Sequence, residues 1–458
     1  MRRGTISAII LLLVSALLHD ANAFPLSSGD QTVLPPGTEL NEESLDRPRE
    51  VFRSEAVGGA KSYLVNLGDL AFNSNNILGD PARRAGMSCG TCHVNGAGNG
   101  RLYVPGMSTR PGNFDTTGPL FNPKAHNGAR DPVRIPSLRG ARFLAPYGND
   151  GRTSSLRDFV RNVIVNEFAG PEPSPAILDA LVAYIEDIDF LPNLNLGTGG
   201  RLTARAGAAA RRGEVLFSKP FPQDPQLSCA ACHIRSGGFV DHRQHSVGSG
   251  GLFKTPTLLN ANFNAPYFHD GRYDSYDQVV AHFDRAFELG LSLQDRADLV
   301  AYLAAIGDGL QPYERDGVTA QLKEINDFAS VLNIAIPAHD TDVIALAVHT
   351  VGRELRELVE QFPGLKDTTV EGGSEERLNA RKELKNLVLM VRRIGVAAAA
   401  GRFDEAAAEY QNYRKLTFAA VPIVLKTAEP WSLFNPAVHK AHFAELRQLL
   451  QSAQKLPP

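Results

Sequence analysis

The stretch Cys89-Gly90-Thr91-Cys92-His93 returns 140 residues later as Cys229-Ala230-Ala231-Cys232-His233. Each CxxCH supplies two thiols that can form thioethers with haem vinyl groups and, beside the second thiol, an imidazole that can take one axial position of the iron. All four cysteines of the chain are spent in this way. A disulfide framework or a zinc site fits less well, because no cysteine pair is left over and His follows CxxC directly both times. The expectation is two covalently attached haem c groups, one on Cys89, Cys92 and His93, the other on Cys229, Cys232 and His233.

The surroundings of the motifs are duplicated too. Pro136 to Arg152 and Pro256 to Arg272 are identical at ten of seventeen positions, including Ala-Pro-Tyr and Asp-Gly-Arg. Arg212 to Phe217 echoes Leu67 to Phe72 ahead of each CxxCH, and Leu-Val-Ala-Tyr recurs at 181–184 and 299–302. An internal repeat of this length marks two copies of one structural unit. The chain therefore divides into cytochrome c-like domains over 56–195 and 200–311, with Pro192 and Gly197 to Gly200 as linker. Helical spacing of Tyr63, Leu64, Leu67, Leu70 and Ala71 predicts a helix ending near Phe72; another starts near Ser154, and Ile177, Leu181, Tyr184, Ile185 and Ile188 form one apolar stripe. The first copy has about 20 more residues between its His and its Pro-Ser-Leu. This Gly-, Asn- and Pro-rich stretch, Val94 to Val133, reads as a loop wrapped around a haem edge.

Beyond Pro312 the pattern changes to long amphipathic helices, predicted at Val343 to Phe362, Glu375 to Ala398, Phe403 to Ala419 and Ala437 to Gln454. The fold class is mainly α, two tandem cytochrome c-like domains followed by a C-terminal helical bundle over 318–458. The bundle could cap the haem domains, form a homodimer interface or bind a partner. His339, His349, His439 and His442 read as surface or cap histidines, since nothing beside them completes a metal site.

At the other end Met1-Arg2-Arg3, an apolar run from Ile6 to Leu18 and Ala21-Asn22-Ala23 form a signal peptide, 1–23, with cleavage after Ala23. The apolar run is short for a bilayer span, an uncleaved anchor being the alternative. Residues 24–55, with Pro35-Pro36, read as an extended arm. Export suits covalent haem attachment, so the mature protein is expected in the periplasm. A chain of 458 residues, 43% hydrophobic and 21% charged, is ordinary globular material for two to four domains. A net charge of −3 and a pI near 6.5 argue against nucleic acid or an anionic membrane as main partner.

Two CxxCH domains carrying Pro-(Ser/Thr)-Leu and Asp-Gly-Arg elements resemble the bacterial di-haem cytochrome c peroxidases, the superfamily that also holds the di-haem enzymes maturing methylamine dehydrogenase. Thr255-Pro256-Thr257-Leu258 and Ala265 to Gly271 are similar to its second domain; the likeness covers about residues 60–310. The resemblance implies that His93 and His233 are proximal ligands, that the second haem is six-coordinate and accepts electrons, and that the first meets peroxide. In relatives the sixth ligand of haem two comes from the helix after Asp-Gly, which here contains His282, with a structural role as its alternative. The matching position in the first domain is Asn162, a poor iron ligand, which leaves haem one open unless Met107 or His126 from the long loop closes it. Glu167 stands two residues before the place of the relatives' acid–base Glu, and a helix-surface carboxylate is the alternative. Arg152 and Arg272 could pair with haem propionates or simply fix turns; His269 is a candidate near a propionate. The resemblance also admits calcium at the domain interface. Asn149 stands where the peroxidases have a Trp between the haems, and the only Trp, Trp431, is in the bundle. That leaves direct tunnelling, or a neighbour such as Tyr147, to carry electrons.

These readings converge on a periplasmic di-haem oxidoreductase that reduces hydrogen peroxide at haem one, with electrons from a small cytochrome or cupredoxin entering through haem two. The alternatives are a non-enzymatic electron-transfer protein or haem sensor with a helical docking domain, and an enzyme that oxidises a protein or small substrate with a high-valent haem pair.

Overall fold

The computed structural model describes residues 34–40, 48–309, 313, 315–364 and 372–453, with side chains as far as 444; the expected signal peptide, 1–23, lies outside the described residues. The first copy is framed by α1 (Tyr63–Phe72), the short α2 (Cys89–Cys92), α3 (Leu156–Asn162) and α4 (Pro175–Asp187); the second by α5 (Ala208–Phe217), α6 (Cys229–Cys232), α7 (Tyr276–Ala286) and α8 (Leu293–Ile306). Ser caps start most of these: Ser62, Ser155, Ser174, Ser228, Ser275 and Ser292 each accept a backbone N–H of the first turn. Such a cap satisfies a donor that the helix itself cannot.

In both copies the first and last helices cross at a glycine. A Cβ on Gly68 would collide with the Ala180 carbonyl and Tyr184, and one on Gly213 with the Asp298 carbonyl and Tyr302. The crossing seats Phe72 on Tyr184, with ring centroids 5.0 Å apart, and Phe217 on Tyr302, at 4.9 Å. The same Phe reaches the histidine of its CxxCH, at 6.3 Å for Phe72–His93 and 6.2 Å for Phe217–His233.

The two copies meet through a pseudo-twofold exchange. Arg134 N–H donates to the His269 carbonyl at 2.6 Å and Lys254 N–H to the Asn149 carbonyl at 3.0 Å. In the repeat Arg134 corresponds to Lys254 and Asn149 to His269, so each domain offers the same two positions to the other. The side chains repeat the pattern: Arg134 Nη1 donates to Asn264 O at 3.1 Å, and Lys254 Nζ to Leu144 O and Pro146 O at 2.6 Å each.

The long loop of the first copy builds core as well as covering it. Leu102, Val104, Met107, Phe114 and Phe121 are buried in a cluster on which Cys89 and Cys92 pack. The arm joins it locally, Glu39 bridging Tyr103 and Val51–Phe52 pairing antiparallel with Ile188–Asp189.

The bundle comprises α9 (Val318–Ala329), α10 (Thr341–Glu360), α11 (Ser374–Ala399), α12 (Phe403–Lys415), α13 (Val421–Ala428) and α14 (Pro436–Ala453). Its core is continuous with Leu67, Leu70 and Ala180 of the first haem domain. Of the roles open to it, capping the first domain is therefore one it fills. Helix α9 was not among the predicted helices, and the predicted Phe403 to Ala419 helix continues through a π turn at Leu416–Ala420 into α13. Trp431 packs over Gly373. His339 stacks on Phe403 and His439 and His442 flank Phe443. Among the described residues no bundle histidine joins a metal-ligating cluster.

A buried polar seam runs between bundle and first domain. Lys61 pairs with Asp69 at 2.8 Å, and Arg49 with Asp316 at 3.0 Å and Glu324 at 2.7 Å. Glu50 lies among them, and burial together with the nearby Glu324 charge pushes its carboxyl up to about 7. A carboxyl raised from its unfolded value near 4.5 favours folding below that value and loses this contribution as pH rises through about 7. Wild-type protein should therefore lose up to about 3 kcal/mol relative to Glu50→Gln between pH 4.5 and 7. Thermal unfolding of the two proteins at pH 5 and pH 8 checks this, a larger gap at pH 8 in favour of the variant being the expected result.

Candidate functional site

The second CxxCH opens on a cavity of about 240 Å³ between the domains, lined by Cys229, Cys232 and His233 and by residues of both copies. His233 Nδ1 is held by the Phe239 carbonyl at 3.0 Å, and His93 Nδ1 by the Pro136 carbonyl at 3.1 Å. A carbonyl only accepts, so Nδ1 carries the proton and Nε2 is left with the lone pair an iron would take. Burial holds both imidazoles below their ordinary value, His93 at about 4, which keeps them neutral. The four thiols are not in disulfides, and burial pushes Cys89 and Cys229 up to about 12. Neutral imidazoles beside paired thiols outside any disulfide, on single helical turns, fit a covalently attached haem at each motif.

Helix α7 runs past this cavity, and its pitch decides which side chains face it. Tyr276, Val279, Val280, Phe283 and Phe287 line the cavity, whereas His282 is not among the lining residues. His282 Nε2 donates to the Val247 carbonyl at 2.7 Å and its Nδ1 accepts from the Tyr273 hydroxyl at 3.0 Å. Both nitrogens are thus spent, the first as a protonated donor and the second as an acceptor. Helical spacing puts His282, the expected ligand of haem two, off the face shared by positions 276, 279, 280, 283 and 287.

His269 does line the cavity, its ring stacked on Phe253 with centroids 3.5 Å apart and planes 8° off parallel. Asn149, its counterpart in the repeat, lines the same cavity and donates from Nδ2 to the Arg134 carbonyl at 3.2 Å. Burial brings the Lys254 ammonium down to about 8. Tyr147 donates its hydroxyl to Ala141 O at 3.2 Å, with Lys254 Nζ 5.8 Å from its ring centroid.

On the first-domain side, α3 passes into a π turn at Val163–Glu167. The widened turn leaves Glu167 only 9% exposed. Its Oε1 accepts from Arg152 Nη2 at 3.0 Å and from Asn162 Nδ2 at 3.3 Å. Burial raises its carboxyl above the ordinary range, and Arg152 pulls it partly back. π turns of this kind are frequent where a side chain is re-aimed for function. The next residue, Phe168, joins Phe114 and Phe121 in the core on which Cys89 and Cys92 pack. Met107, 2% exposed, lies in that core as well. His126 does not: it is exposed and bonds through Nδ1 to Thr117 O at 3.3 Å.

Arg152 and Arg272 occupy equivalent turns in unequal ways. Arg272 binds Asp270 through Nε and Nη2 and donates to Ser249 O at 2.8 Å, which fixes its turn. Arg152 binds Asp150 at 3.1 Å and reaches on to Glu167. The Arg–Glu pair and the boundary cations Arg134 and Lys254 were not legible as a site in the sequence.

A family model described as di-haem cytochrome c peroxidase matches residues 208–347. The hydrazine synthase subunit gamma of Kuenenia stuttgartiensis is 25% identical over 326 residues, 58% of this chain and 83% of that one. Methylamine utilization protein MauG of Methylorubrum extorquens is 30% identical over 130 residues, 22% of this chain and 35% of that protein. The cytochrome c peroxidase Ccp of Escherichia coli is 41% identical over 64 residues, 13% of this chain and 14% of that protein. The chain thus spans about a third or less of the latter two. Among the described residues no helix is long and apolar enough to cross a membrane. The paired haem-attachment signatures and the duplicated domains thus accompany a match to the di-haem cytochrome c peroxidase family over residues 208–347 and similarity to relatives that are oxidoreductases.

Proposed function

We propose that this protein reduces hydrogen peroxide at the haem held by His93, with electrons from a small cytochrome or cupredoxin passing through the haem held by His233. The observation that carries the reading is the asymmetry of the two copies. The first has a buried glutamate, Glu167, held by Arg152 and Asn162 next to the core around Cys89 and Cys92. Over the corresponding turn the second has Phe283 and Phe287, which cannot exchange a proton. The haem supplies the redox chemistry; Glu167 takes a proton from the near oxygen of peroxide and returns it to the leaving one. Arg152 orients Glu167 and pulls its burial-raised carboxyl partly back toward the ordinary range, which favours its start as a base.

In this reading His93 and His233 are the proximal ligands, Met107 is the nearest candidate to close the first iron in a resting state, and the protein works in the periplasm after loss of residues 1–23. Asn149 cannot relay an oxidising equivalent as an indole would, so electrons cross the domain boundary directly between haem edges. Calcium at that boundary is a further expectation of the resemblance, and metal analysis of the holoprotein, read for two irons and for calcium per chain, tests both. The electron-carrier reading has Asn149 in its favour.

The test is peroxide consumption by the purified holoprotein with a reduced small cytochrome as donor, alongside electronic and EPR spectra. Turnover with peroxide-dependent spectral change at one haem is expected. Donor oxidation that is indifferent to peroxide leaves the electron carrier.

A further inference from the structure

We propose that the iron held by His233 has no side chain as its sixth ligand, and that it faces an apolar pocket of Phe268, Val279 and Phe283 able to admit a small neutral diatomic molecule. The proposal rests on haem attachment at the second CxxCH and is independent of what haem one does.

The cavity lining offers few atoms able to ligate iron, and nearly all are engaged. Tyr276 donates its hydroxyl to Asn262 Oδ1 at 2.7 Å and Tyr267 to Ala261 O at 3.1 Å. Lys254 Nζ is held by two carbonyls, and His245 Nε2 by Asp241 at 2.6 Å, beside Cys232 on the attachment side. His282, the one imidazole on α7, does not line the cavity and has both nitrogens engaged, by Tyr273 and the Val247 carbonyl.

His269 alone remains, and its place argues against ligation. Its carbonyl accepts from Arg134 across the domain boundary, and its ring lies flat on Phe253. Its repeat partner Asn149 occupies the matching boundary position on the same cavity. Both therefore belong to the rim between the domains. Against the rim stands the wall from α7 and the preceding loop, where Phe268 and Phe283 pack on each other with centroids 5.8 Å apart. A hydrocarbon wall has no donor for an anionic ligand and imposes no desolvation cost on a neutral one. Carbon monoxide, which binds ferrous haem and carries no charge, is the direct probe.

The experiment compares wild type with Phe283→Met, His282→Ala and His269→Ala. It counts low-spin haems by EPR in the ferric holoprotein and carbon monoxide bound per chain after reduction. Phe283→Met places a thioether on the cavity-facing position and should add one low-spin haem and remove one bound carbon monoxide per chain. The two His variants should leave both counts unchanged. Loss of a low-spin haem in either His variant, or no added low-spin haem in Phe283→Met, overturns the proposal. Peroxide turnover does not enter these counts, so this result and the fate of the peroxidase reading stay separate.

Discussion

Replacing Glu167 by Gln should lower the rate of peroxide reduction by about 10²- to 10⁴-fold, the usual worth of a positioned acid–base group. Gln keeps the shape and can still accept from Arg152 and Asn162, so both haems should stay attached and the fold intact. What it cannot do is take a proton. Because burial raises the carboxyl from its ordinary range, the wild-type acid limb should lie above that of a free glutamate and vanish in the variant. Arg152→Ala should move that limb further up, since it removes the charge that pulls Glu167 down. Stopped-flow kinetics across pH, with haem content determined in parallel, check these points. If Glu167→Gln retains full turnover, the acid–base role of this residue is lost.

The second large effect is on stability. Gly68→Ala and Gly213→Ala should each destabilise by about 2–3 kcal/mol. Alanine is favoured over glycine within a helix by about 1 kcal/mol. Here that gain is outweighed, because the new methyl would overlap a backbone carbonyl of the crossing helix, Ala180 or Asp298, which cannot rotate away. The helices must separate, and with them Phe72 or Phe217 withdraws from the histidine it supports. Gly352→Ala is the control: its Cβ would meet only Arg356 Nη1 at 3.6 Å and Val391 Cγ1 at 3.9 Å, so the propensity gain should survive. Calorimetric unfolding of the three variants should show two losses of about 5–10 °C and one small gain. Equal behaviour of all three would remove the close crossing as a determinant of stability.

Covalent haem attachment, the duplication and the mainly helical class were legible in the sequence because each rests on local order: five-residue motifs, a seventeen-residue repeat and apolar stripes of helical period. The repeat aligns Arg134 with Lys254 and Asn149 with His269, and the structure brings these positions together at the pseudo-twofold boundary. Three matters needed the tertiary structure. Which side chains of α7 line the cavity depends on the rotation of the helix about its own axis, set by the packing of Val279, Val280 and Phe283, which local sequence around one histidine does not reveal. That Glu167 is buried against Arg152 depends on a π turn, a one-residue widening with no composition signature. That the bundle caps the first domain depends on which apolar face of an amphipathic helix meets which partner, and burial is non-directional: Leu67 and Leu70 would satisfy it against any apolar surface of the right shape. The sequence alone determined that two haem domains are present; packing between distant segments decided how they differ.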